Sequence, residues 1–134
     1  MAEPTFLLAY GTLRRGGKSY PLFGGSLEYA GTVYVPGTLY DLGWFPGIIL
    51  GDTSDLALCD KFLVNGTETW YRLDDYEGFH PFQPLGSLFI RKELYPNTFI
   101  YEYNRPFRGA VRVDGGDWLE HLKERYETTE NSDS

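Results

Sequence analysis

Cysteine, histidine and methionine are scarce in this sequence: one cysteine (Cys59), two histidines (His80 and His121) and one methionine. A lone cysteine closes no internal disulfide. A structural zinc site takes four Cys, His or carboxylate ligands, and no such set is legible, so neither a metal nor a cofactor is expected. Cys59 stands in an apolar run and reads as a packing thiol, not a nucleophile. Neither histidine has a serine or cysteine elbow near it, so a hydrolase triad finds no support. His80 reads as a loop residue, and His121 as a surface or packing residue on the last helix.

Positive charge is also in short supply. Twelve Lys and Arg against 19 Asp and Glu leave a formal charge of −7. A nucleic-acid partner needs a clustered cationic face to displace counterions, so none is expected. Long apolar runs are missing as well. Phe6-Leu7-Leu8-Ala9 is far too short for a signal-peptide core or a membrane span, which leaves no membrane partner and the cytoplasm as the default location. With 134 residues there is material for one hydrophobic core. The expected domain is residues 1–126, and the polar tail 127–134 has nothing to bury and is expected to be disordered.

What the chain has in quantity is aromatic residues (17%), glycine (16) and proline (8), a mixture that favours short strands and tight turns over long helices. Residues 5–10 form an apolar run closed by Gly11, a buried strand feeding a turn. Residues 11–25 read as a loop or a single helical turn. Strands follow at 28–35 and 37–42, split by Pro36, and at 48–50 and 56–64, the last closed by Asn65-Gly66. At 67–77 the apolar period changes to three and four, which predicts a short helix capped by Thr67 and ended by Gly78. Strands at 87–94 and 98–103 flank a Tyr95-Pro96-Asn97 turn, and residues 117–126 form a last helix with Trp118, Leu119, Leu122 and Tyr126 inward. The fold class is therefore α+β: a small mixed, mostly antiparallel, barrel-like sheet with short flanking helices.

Two constellations carry chemistry. Tyr10-Gly11-Thr12-Leu13-Arg14-Arg15-Gly16 places a glycine turn at the end of a buried strand, where backbone N–H groups without a sheet partner form either an anion site or an ordinary β-turn. Gly17-Lys18-Ser19 is not a phosphate loop, because the glycine required five positions before the Gly-Lys pair is Thr12 here. Leu73-Asp74-Asp75-Tyr76-Glu77-Gly78 crowds three carboxylates into the last helical turn, against the helix dipole. Asp74 and Asp75 read as a solvated acidic face. Glu77 falls seven residues after Trp70 and four after Leu73, on the inward side, where a carboxyl among aromatics has a raised pKa suited to proton transfer. Arg91 reads as one half of a structural ion pair.

Together with Leu39-Tyr40-Asp41-Leu42-Gly43, Pro46-Gly47 and Gly116-Asp117-Trp118, these two blocks resemble the γ-glutamylcyclotransferase-like superfamily, in particular its AIG2-like and γ-glutamylamine cyclotransferase branch. The blocks keep the family's order over most of the chain. The resemblance implies a small mixed barrel in which Tyr10, Gly11, Thr12 and Leu13 bind substrate and Glu77 is catalytic. The expected activity is cyclisation of a γ-glutamyl amine or peptide to 5-oxoproline with release of the amine. Phe62 and Phe89 stand where the family often has tyrosine, a departure that bears on substrate choice. The alternative is a non-catalytic module that binds a small anionic metabolite or a peptide end.

Overall fold

The computed structural model describes residues 3–132, and the side chains of residues 3–125. Seven strands form one curled sheet: β1 (Thr5–Ala9), β2 (Leu27–Asp41), β3 (Pro46–Leu50), β4 (Leu56–Val64), β5 (Phe89–Tyr95), β6 (Thr98–Tyr103) and β7 (Val111–Arg112). The order across the sheet is β3-β2-β4-β1-β6-β5, with β7 on β2. Only the β1–β6 pairing is parallel. Central β1 buries Leu7, Leu8 and Ala9 in succession. A strand covered on both faces carries such an unbroken apolar run.

The sheet curls until β3, at one edge, reaches β6 near the other. The Leu50 N–H donates to Glu102 Oε2 at 2.7 Å, and a Cβ on Gly47 would stand 2.8 Å from that of Tyr103, so only glycine permits the approach. This is the barrel-like, mixed sheet expected from the sequence.

Helix α1 (Thr67–Glu77) has the expected bounds, but Gly66, not Thr67, occupies its N-cap, at φ 86° and ψ 143°. Thr67 instead begins the helix, because the turn out of β4 needs a backbone that glycine adopts without strain. At the other end Gly78 is left-handed, and the Phe79 N–H reaches back to the Asp74 carbonyl at 2.9 Å. Two corrections concern strands. Residues 27–41 form one strand instead of two, because Pro36 sits where β2 changes partner: Pro36 pairs with Leu56 of β4, and Gly37 with Leu50 of β3. A residue without an N–H is tolerated at such a change of ladder. The short strand β7 was not anticipated. Helix α2 spans Trp118–Ser132, beyond the expected end at 126. The inward placement of Tyr126 and the side chains of the tail, with residues 133–134 entirely, lie outside the described residues.

Candidate active site

The segment after β1 is tied down from three directions. Tyr10 Oη donates to the Tyr101 carbonyl on β6 at 2.6 Å. Arg14 is buried between two carboxylates, 3.5 Å from Asp60 Oδ2 of β4 and 2.9 Å from Asp117 Oδ1 at the start of α2, and the Arg15 N–H also donates to Asp60 at 2.8 Å. The Tyr76 hydroxyl of α1 joins Thr12 Oγ1 at 2.7 Å and Ser19 Oγ at 2.6 Å. Gly11 has no alternative residue: an added Cβ would lie 2.5 Å from Pro46 Cγ. Two sequence blocks, 10–16 and 39–47, meet at that contact. Among the described residues, no hydrogen bond occupies the backbone N–H groups of Gly11, Thr12 and Leu13.

These residues wall a cavity of about 250 Å³, near the small end of the ~300–1,000 Å³ typical of ligand sites. Tyr10, Gly11, Thr12, Leu13 and Glu77 all line it, so the structure brings together every site residue named from the sequence. Trp44, Phe45, Pro46, Tyr76, Phe89 and Tyr101 complete much of the wall.

Glu77 stands on the last residue of α1. Part of its surface opens to the cavity and protein encloses the rest, and this loss of water pushes its carboxyl up to about 8. No hydrogen bond or ion pair to it occurs among the described residues. Burial raises Tyr10 well above the ordinary phenol value, and the nearby Glu77 charge adds to the effect. Tyr101 is raised too, first by burial and then by its hydrogen bond to Asp74.

Asp74 is not part of a solvated face. It is buried, receives the Tyr101 hydroxyl at 2.7 Å, and holds Arg91 Nη1 at 3.0 Å through both oxygens. Its pKa is raised, because burial outweighs the Tyr101 hydrogen bond and the Arg91 charge. Its partners come from β5 and β6, beyond the reach of helix periodicity. Arg91 is the structural half-pair expected, and it also lies over the Trp70, Phe79 and Phe99 rings. Asp75 is exposed, as read.

Cys59 is fully buried with its thiol pushed up to about 12, a packing residue. His80 lies in a loop, and His121 packs on Trp118 and pairs with Asp41 at 2.8 Å. Of the two phenylalanine departures, Phe89 lines the cavity and Phe62 does not, being stacked on Tyr20 in the core. Sequence reasoning missed Tyr101 and Trp44. Tyr101 left no local trace, being 91 residues from Tyr10, whereas Trp44 stood beside the quoted Pro46-Gly47 block. Among the described residues no group of His, Cys, Asp and Glu gathers as a metal site, and no helix is long and apolar enough to cross a membrane.

Comparison with known proteins gives a consistent relation. The family described as gamma-glutamyl cyclotransferase, AIG2-like, matches residues 7–120. Among solved structures, an uncharacterized protein from Pyrococcus horikoshii superposes with a TM-score of 0.68 at 21% identity, covering 92% of this chain and 97% of that one. The protein YtfP from Escherichia coli gives 0.66 at 22% identity, over 87% and 97% of the two chains. An AIG2-like protein from Mus musculus gives 0.61 at 17%, over 78% and 81%. Identities this low establish a shared fold and nothing finer. No curated protein matches the sequence significantly.

Proposed function

Because the chain belongs to the AIG2-like gamma-glutamyl cyclotransferase family, we propose that it is a cytoplasmic enzyme that cyclises a small γ-glutamyl amine or peptide to 5-oxoproline and releases the amine. One observation carries this reading: an enclosed, unpaired carboxyl, Glu77, shares a small cavity with the bare N–H groups after β1.

The two ends of a glutamyl group need opposite surroundings. Its α-carboxylate matches the N–H groups of residues 11–13, which donate no hydrogen bond among the described residues. Its α-ammonium matches oxygen acceptors. Tyr10 and Tyr101 have each committed their single hydroxyl proton, one to the Tyr101 carbonyl and the other to Asp74, so their oxygens retain only acceptor capacity. Glu77 adds the third oxygen group.

In this reaction Glu77 removes a proton from the α-ammonium, since only the neutral amine has a lone pair. The nitrogen attacks the substrate's own γ-carbonyl carbon, forming the ring C–N bond. The exocyclic C–N bond then breaks as the proton held by Glu77 passes to the departing amine, and the ionised Glu77 takes the second proton of the ring nitrogen to leave the neutral lactam, later passing it to the released amine. Free Glu77 is largely protonated at neutral pH, and the bound ammonium, a cation beside it, favours the ionised form needed for the first step. The ring closes within one molecule, so orientation and one proton shuttle suffice without a nucleophile, metal or cofactor.

The decisive experiment is a screen of γ-glutamyl amines and peptides for 5-oxoproline. Glu77→Gln keeps the size and loses the proton shuttle, and is expected to lower kcat by ~10³-fold while the fold persists. Equal turnover in that variant defeats the mechanism. Tight binding of these compounds by the parent chain without product makes it a non-catalytic module instead.

A further inference from the structure

A second cavity, of about 410 Å³, adjoins the first and shares Thr12, Lys18 and Trp44 with it. Its far wall is α2, through Leu119 and Leu122. Trp44 lines both spaces and is 82% exposed, which leaves its ring open to a ligand in either. Among the described residues no Asp or Glu lines this cavity, although the chain carries a formal charge of −7. Arg125 at its rim is engaged by Asp41 and the Gly43 carbonyl. Lys18 is different: it is exposed, reaches both cavities, and has no carboxylate partner among the described residues.

We propose that this second cavity receives the amine half of the substrate and selects an apolar amino acid or short peptide over a polyamine. The inference rests on the cyclotransferase reading. The two halves of a γ-glutamyl amide join at the carbonyl carbon, so an amine half that extends from the smaller cavity across Thr12, Lys18 and Trp44 enters the second. Its side chain then lies along Trp44 and Leu122, and its carboxylate meets Lys18. A second ammonium finds no acidic partner there among the described residues and faces Lys18 as a like charge.

Three probes with one γ-glutamyl half test this on the full chain: γ-glutamyl-phenylalanine, γ-glutamyl-phenethylamide, which lacks only the carboxylate, and γ-glutamyl-putrescine. The expected kcat/KM of the first exceeds the second by about tenfold, the size of one partly solvated charge contact, and the putrescine compound is slowest. Lys18→Gln should bring the first two rates together. Leu122→Glu, which places an acid in the cavity, should move preference toward putrescine. Equal wild-type rates overturn the inference while leaving cyclisation intact. So does a Lys18→Gln variant that slows all three alike, which puts the ammonium on the glutamyl half. If none of the three yields 5-oxoproline, the cyclotransferase reading falls and this inference with it.

Discussion

Asp74 and Glu77 lie one helical turn apart on α1, and both have been taken out of water, yet only one has been given partners. Asp74 receives the Tyr101 hydroxyl and both contacts from Arg91, while Glu77 has neither a donor nor a cation beside it among the described residues. Enclosure raises both carboxyls, but at Asp74 the partners oppose the rise and at Glu77 nothing does, so the latter reaches about 8. A satisfied buried charge holds elements together. An unsatisfied one, open to a cavity, is held near the pH at which it can exchange a proton.

The largest expected effect separates the two through stability. The carboxyl of Glu77 is bound to its proton in the folded chain up to about 8, whereas in the unfolded chain it ionises near the usual ~4.3. Between those values the folded state holds more protons, so stability falls as pH rises, and the loss is complete above the folded value. Glu77→Gln removes that loss. The variant should be more stable than the parent at pH 8.5 by roughly 2–4 kcal/mol, allowing for the side open to the cavity, with the gap closing toward pH 4. Denaturant melts at the two pH values measure it. A pH-independent gap would mean that the carboxyl is not the enclosed acid described.

Next in size is the rate. If ionised Glu77 is the base, kcat/KM should drop toward tenfold per pH unit below the Glu77 midpoint, or about 50-fold between pH 8 and pH 6. Asp74→Asn should keep that midpoint, because enclosure alone, and not the Asp74 charge, raises Glu77. A midpoint that shifts in Asp74→Asn would merge the two carboxyls into one coupled pair. Asp74→Ala comes third: it leaves the Tyr101 hydroxyl and Arg91 without their acceptor and should cost about 2 kcal/mol, whereas Asp74→Asn, which keeps an oxygen for Tyr101, should cost less. Equal costs for Ala and Asn would show that the hydrogen bond from Tyr101 contributes nothing.

The same contrast explains what could be read beforehand. Glu77 was legible because its evidence is local: spacing from Trp70 and Leu73, and the glycine that ends the helix. The turn at 10–13 was legible for the same reason, as were the bounds of β4 and α1. Asp74 was misread because its partners are 17 and 27 residues away on β5 and β6, and helix position alone made it a surface acid. Pro36 misled in a related way. Its missing N–H marks a break in hydrogen bonding, and the sequence does not tell whether the strand ends there or only changes partner. The cavity's Tyr101 and Trp44 depend on the curl of the sheet, a property of the whole chain.

Tyr76, between the two carboxyls, offers the smallest and sharpest test. Its hydroxyl bonds to Thr12 and Ser19, so it fixes the distance between the end of α1 and the turn that would hold the substrate's carboxylate. Tyr76→Phe removes both bonds and leaves the ring against Phe23. The residue is 38% exposed, and water can replace the lost partners, so the stability cost should be only about 1 kcal/mol. Substrate binding should suffer more visibly, with KM rising several-fold as the turn loosens. The pH midpoint of kcat/KM should not move, because Tyr76 makes no hydrogen bond to Glu77 and phenylalanine keeps the ring that lines the cavity beside it. A shifted midpoint with unchanged KM would reverse the assignment, making Tyr76 part of the proton shuttle and not the brace that positions the turn.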